Sequence, residues 1–150
     1  MSINRTTRKR LTKEYQMLFK RPNQNVIATP NKKDILTWHF LIYGLEDPYK
    51  GGFYIGHIYF PQNYPFSPPH FCVNTPQGRF KIGLKICMSF SGHHKESWSA
   101  AWTIEKMLLG LISFMHSSEK TLNGIVTTDS QKKKLAAESH DYNLKNFNEI

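Results

Sequence analysis

Residues 74–102 read NTPQGRFKIGLKICMSFSGHHKESWSAAW, and the fold turns on how that stretch is read. It opens on a proline–glycine turn, Thr75-Pro76-Gln77-Gly78, and carries Cys87, one of the chain's two cysteines. Paired histidines (His93, His94) and two tryptophans (Trp98, Trp102) follow. Turn formers at this density predict an irregular loop rather than helix or strand. A cysteine on such a loop is within reach of solvent and partners, whereas a core cysteine sits inside a periodic apolar run. Cys87 therefore reads as a candidate nucleophile. The other reading of a lone cysteine, a small core residue, stays open on these residues alone. Cys72 lies in an alternating segment and reads as structural.

The bulk numbers bound the rest. A chain of 150 residues is expected to form one domain, 1–150, large enough to bury a core without staples. With 39% hydrophobic and 13% aromatic residues it does not have the composition of a disordered segment. Two cysteines without ligand spacing give neither a disulfide framework nor a zinc site, so a reducing compartment is expected, with no metal and no cofactor. Arg5, Arg8, Lys9 and Arg10 precede an amphipathic rather than an apolar segment, so no secretory signal is read. The longest apolar run, Met107 to Met115, falls short of the ~20 residues a membrane span needs, and a soluble chain is expected. The net charge of +9 clusters near the N-terminus, with Lys132, Lys133 and Lys134 near the other end. An acidic partner and a solvated helix face both account for it.

Outward from the loop, the patterns alternate by type. Residues 6–19 predict an amphipathic helix with Leu11, Tyr15 and Leu18 inward, ended by Pro22. A polar turn at Pro30 to Lys33 leads into an alternating strand through Leu36, Trp38, Phe40 and Ile42. A loop from Gly44 to Gly52 joins it to an antiparallel strand, Phe53 to Phe60, and His70 to Val73 is a short third strand. Between the last two lies Pro61-Gln62-Asn63-Tyr64-Pro65-Phe66-Ser67-Pro68-Pro69, too rich in proline for a ladder. It predicts a stiff edge loop with a cis bond at Tyr64-Pro65. Phe66, held out on that loop, is a candidate partner anchor; a plain connector is the other reading. Ile104 to Met115 predicts a core helix capped by Thr103, with Ile104, Met107, Leu108, Leu111 and Met115 as its stripe. A last helix begins near Thr128, whose spacing to Gln131 matches a capping box, with Leu135 and Ala136 inward. Helix, antiparallel strands, irregular loop, then helices is an α+β order.

In this order these motifs resemble the ubiquitin-conjugating enzyme family. The resemblance rests on Tyr64-Pro65-Phe66-Ser67-Pro68-Pro69, Ile86-Cys87-Met88-Ser89, Trp98-Ser99 and the helix from Ile104, and it covers nearly the whole chain. Gly78-Arg79-Phe80 and His94-Lys95-Glu96-Ser97-Trp98 bring it closest to the J-type, tail-anchored branch of the endoplasmic reticulum. The resemblance implies that family's fold: an N-terminal helix, an antiparallel meander of about four strands, an active-site loop and C-terminal helices. It implies an enzyme that takes ubiquitin from the ubiquitin-activating enzyme as a Cys87 thioester. With a RING-type ligase it would then pass ubiquitin to substrate lysine in degradation at the endoplasmic reticulum. The branch's membrane anchor lies beyond the catalytic domain and is not in this chain. The expected place is the cytoplasmic face of that membrane where an anchor follows, and the cytoplasm otherwise.

Two departures stand out. Where most of the family has His-Pro-Asn, with an Asn that orders the loop and supports the oxyanion, this chain has Thr75-Pro76-Gln77. Gln77 keeps the amide donor on a longer side chain and is the expected counterpart. Ala100 stands where the family commonly has proline, in the ligase-binding loop Ser99-Ala100-Ala101. With Phe66 and the basic residues Arg8, Lys9 and Lys13, that loop is expected to form one partner surface. His94, with His93, is a candidate base for transfer to Ser or Thr hydroxyls, which need proton removal more than a desolvated lysine does. A loop histidine packed on Trp98 is the other reading. A non-catalytic ubiquitin- or ligase-binding variant is the alternative from another class, and Gln77 is its main argument. Nucleic-acid binding has only net charge behind it, and no such partner is expected.

Overall fold

The computed structural model describes residues 3–86 and 98–147. Helix α1 (Arg5–Lys20) leads into four strands, β1 (Val26–Pro30), β2 (Thr37–Ile42), β3 (Tyr54–Tyr59) and β4 (His70–Val73). Helices α2 (Ile104–His116) and α3 (Asp129–Asn146) follow. The strands form one antiparallel meander in the order β1-β2-β3-β4. The register pairs Ala28 with Phe40, Phe40 with Gly56, and Gly56 with Val73. Gly56 is required by that register, because a Cβ there would lie 2.3 Å from both the Phe40 ring and the Cys72 carbonyl.

Alternation sends Val26, Trp38, Phe40, Ile42, Tyr54, Ile58, Phe71 and Val73 to one face of the sheet, where they join the buried core. Helix α2 lays Ile104, Met107, Leu108, Leu111 and Met115 into the same core, all at most 2% exposed. That is the stripe its periodicity predicted. Burying each such side chain is worth about 1.5–3 kcal/mol, whereas the Thr103 cap, which accepts from Lys106 N–H, adds about 1. Packing therefore holds α2, and the cap fixes where it starts. Helix α3 begins at the predicted capping box, with Thr128 and Gln131 exchanging side-chain-to-backbone hydrogen bonds.

Two expectations change. Strand β1 takes in Pro30, which pairs with Trp38, so the expected turn begins only at Asn31; five residues ending in proline carry too short an alternation to mark a strand. In α1 the buried residues are Thr7, Leu11 and Glu14, while Tyr15 is 38% exposed and rests edge-on against Trp38. The inward face is thus turned by one residue, because Glu14 has a buried partner that no apolar pattern reveals. Its Oε2 accepts from Ile104 N–H at 2.6 Å, at the first turn of α2.

Candidate active site

The turn before the cysteine is built around one side chain. Gln77 is fully buried. Its Oε1 accepts from Arg79 N–H at 2.8 Å and from Phe80 N–H at 2.6 Å, and its Nε2 donates to the Thr75 carbonyl at 3.1 Å. Gly78, at φ 85°, takes the left-handed conformation that lets the chain reverse over that amide. Both ends of the turn are tied down. The Thr75 hydroxyl receives Ile55 N–H and meets Asn143 of α3, and the Thr127 hydroxyl donates to the Gly78 carbonyl at 2.6 Å.

The chain then runs back along β4. Ile86 N–H donates to the Phe71 carbonyl, and Asn123 Nδ2 donates to the Lys85 carbonyl at 3.0 Å. Lys81 N–H in turn donates to the Asn123 carbonyl, and Ile125 N–H to that of Arg79. The segment leading to Cys87 is therefore clamped between β4 and the α2–α3 connection. Cys87, His93 and His94 lie outside the described residues. The other cysteine is a different kind of group. Cys72 is 4% exposed, and burial pushes its thiol up, away from the thiolate a nucleophile needs.

The family model for ubiquitin-conjugating enzymes matches residues 10–146. This chain belongs to the ubiquitin-conjugating enzyme family. It is 46% identical over 138 residues to "Ubiquitin-conjugating enzyme E2 J2-like" of Dictyostelium discoideum, covering 91% of this chain and 81% of that protein. It is 45% identical to "Ubiquitin-conjugating enzyme E2 6" of Candida glabrata, covering 92% of this chain and 56% of that protein. Likewise it is 45% identical to "Ubiquitin-conjugating enzyme E2 34" of Arabidopsis thaliana, covering 91% of this chain and 58% of that protein. The chain thus spans little more than half of those last two relatives. Among solved structures, human ubiquitin-conjugating enzyme E2 G1 superposes with a TM-score of 0.67 at 25% identity, covering 77% of this chain and 98% of that one. The similarity to the J2-like protein agrees with the J-type resemblance of the motifs. Members of the family are transferases that carry ubiquitin on a cysteine.

In this ubiquitin-conjugating enzyme the three predicted parts of the partner surface are knit together. The Thr7 hydroxyl of α1 bonds the Gln62 and Tyr64 carbonyls of the proline loop. Arg10 reaches across with Nη1 to the Ala100 carbonyl at 2.7 Å and Nη2 to that of Trp102 at 2.9 Å. Trp98 Nε1 donates to the Pro65 carbonyl at 2.8 Å, closing the triangle. The Tyr64-Pro65 bond is cis, as the aromatic–proline pair predicted. Phe66 stands 71% exposed on that loop, and in the loop after Trp98 Ser99 and Ala101 are exposed and Ala100 is half-buried. Arg8, Lys9 and Lys13 face solvent, whereas Arg10 is a tether. Among the described residues no group of His, Cys, Asp and Glu side chains could hold a metal ion, and no helix is long and apolar enough to cross a membrane.

Three residues that position this site were missed by the sequence reading: Glu14, Arg79 and Asn123. Asn123 had a local signal. It sits at φ 65°, and Asn-Gly is a turn dipeptide whose asparagine tolerates that conformation. Glu14 had none, and Arg79 entered only through the Gly78-Arg79-Phe80 resemblance with no role of its own, because their partners are 90 and about 40 residues away in sequence.

Proposed function

We propose that this chain is a catalytically active ubiquitin-conjugating domain whose nucleophile is Cys87. The Cys87 thiolate attacks the thioester carbon of ubiquitin held on the activating enzyme and expels that enzyme's cysteine thiolate. An acceptor amine then attacks the new thioester, expels the Cys87 thiolate and loses its proton. The observation that carries this reading is the clamping of the segment before Cys87, from the Gln77 turn to the Asn123–Lys85 bond. A site that must present one thiol in one place gains from such a frame. Gln77 acts here as a positioning residue that shapes the turn, the loop-ordering part of the role that Asn has in most relatives. The exposed face of α1, Phe66 and the Ser99–Ala101 loop form the surface for the activating enzyme and a RING-type ligase. By its J-type resemblance the domain serves protein degradation at the endoplasmic reticulum.

Charging tests it directly. The chain is mixed with activating enzyme, ubiquitin and ATP and run on gels with and without reductant. The expected adduct is reductant-sensitive, lost in Cys87→Ala and kept in Cys72→Ala. A folded chain that forms no adduct would instead be a ubiquitin- or ligase-binding variant, the reading that Gln77 in place of Asn favours. His94 is proposed to take the proton from hydroxyl acceptors. His94→Ala is expected to charge normally and discharge to lysine normally, while discharge to serine falls at least about tenfold. Unchanged serine discharge would remove His94 from the mechanism.

A further inference from the structure

A buried cation with no ion-pair partner among the described residues lies on the far side of the Gln77 turn. Arg79 is 6% exposed. Its guanidinium lies against the stacked rings of Phe80 and Phe114, 5.1 and 4.9 Å from their centroids. Nε donates to the Ser117 carbonyl at 3.1 Å, and Nη2 donates to the Glu119 carbonyl. Nη1 makes no hydrogen bond among the described residues, where the one ion pair is Arg10 with Glu14. Buried charges are ordinarily paired, because desolvating a lone ion costs several kcal/mol. Two carbonyls supply dipoles but no opposite charge.

Arg79 lines a cavity of about 650 Å³ between its turn, the α2–α3 connection and the start of α3. Small-molecule sites run from ~300 to ~1,000 Å³. Gly124 lines the cavity beside Arg79, its Cα side turned toward Nη1. Lys120 and Lys132 stand on the same walls, with Lys132 Nζ donating to the Thr127 carbonyl at 3.0 Å. Glu119 and Asp129 line it too, so the cavity presents three cations against two carboxylates.

We propose that this cavity binds a phosphate-bearing small molecule, with Arg79 Nη1 and the ammonium groups of Lys120 and Lys132 as its donors. A phosphate group is favoured over a single carboxylate because its three terminal oxygens can engage donors from three walls at once. Arg79 is shared with the Gln77 turn through its backbone N–H, while its guanidinium faces the cavity, so binding here is read without charging.

The test is a titration of the 150-residue chain with inorganic phosphate and then pyrophosphate, read by amide NMR shifts. Sodium chloride holds the ionic strength constant. Saturable shifts confined to Arg79, Gly124, Ile125 and Lys132 are expected, with pyrophosphate binding more tightly than phosphate. Lys120→Gln, and Lys132→Gln, which also gives up its bond to the Thr127 carbonyl beside the Gln77 turn, are each expected to weaken binding about tenfold, with the Gln77-turn amides unmoved in Lys120→Gln. Shifts that never saturate, that appear equally along α1, or that survive both substitutions would overturn the proposal. The carbonyls would then be the whole answer to the Arg79 charge.

Discussion

Gln77 holds two backbone N–H groups with a single oxygen, and nothing else in the turn could replace it. Arg79 and Phe80 donate to that oxygen at 2.8 and 2.6 Å, in a pocket sealed from water. A leucine of similar volume would leave both donors unsatisfied, at about 1–3 kcal/mol each. Gln77→Leu is therefore expected to lower stability by about 2–6 kcal/mol in urea melts. Well below its melting point the variant should still charge, but should discharge more slowly, because the frame around the thioester is loosened. Gln77→Asn separates length from chemistry. One methylene shorter, it should keep one of the two bonds and fall between wild type and leucine in both measurements. A leucine variant as stable as wild type would show that the turn is held by its flanking contacts alone.

At the scale of elements, the joint between α1 and α2 is a single carboxylate. Glu14 Oε2 accepts from Ile104 N–H at 2.6 Å, while Oε1 is buried without a hydrogen-bond partner, 3.9 Å from Arg10 Nε. Burial outweighs the Ile104 bond and the nearby Arg10 and Lys13 charges, and it holds the Glu14 carboxyl above the usual carboxylate range. The fold therefore binds that proton more tightly than the unfolded chain does. Its contribution is fully present below the unfolded value and is lost as pH rises through the folded one. Glu14→Gln keeps an oxygen for Ile104 and removes the titration. Its stability should lose part of the wild-type decline between acid and neutral pH in urea melts. Glu14→Ala should instead cost about 1–3 kcal/mol by stranding the Ile104 N–H. The same residue shows where the sequence was legible. The α2 stripe and the Thr103 and Thr128 caps were readable because each rests on spacing within one helix. The α1 face was misjudged at Tyr15, because a buried acid interrupts an apolar pattern and its reason lies 90 residues on. In the site, the exposure of Phe66 and the turn that holds Gln77 were legible from proline and turn chemistry, while the part given to Gln77 came from the family resemblance. The Arg79 and Asn123 tethers join segments about 40 residues apart, and nothing local to either residue names the partner.

Across the whole molecule, charge is distributed in a way that separates binding from folding. Glu14 is the only acid in α1, and it is buried, so the solvent side of the helix carries Arg5, Arg8, Lys9, Lys13 and Lys20 unopposed by any acid of the same helix. Helix α3 carries Lys132, Lys133 and Lys134 elsewhere, anchored to the sheet through Ser139 and Asn143 rather than to the Arg10 triangle. Solvent-exposed charges steer encounter and are screened beyond ~10 Å at 0.1 M salt. They therefore act on association rate far more than on stability. Arg8→Glu with Lys9→Glu is expected to slow charging about tenfold at low ionic strength and only about twofold at high ionic strength, with the melting curve unchanged. The matched pair Lys133→Glu with Lys134→Glu changes net charge equally and should leave charging near wild type at both. Equal slowing by the two pairs would mean that the activating enzyme responds to overall charge alone. Slowing by the α1 pair that salt does not relieve would instead place a direct, desolvated contact at Arg8 or Lys9.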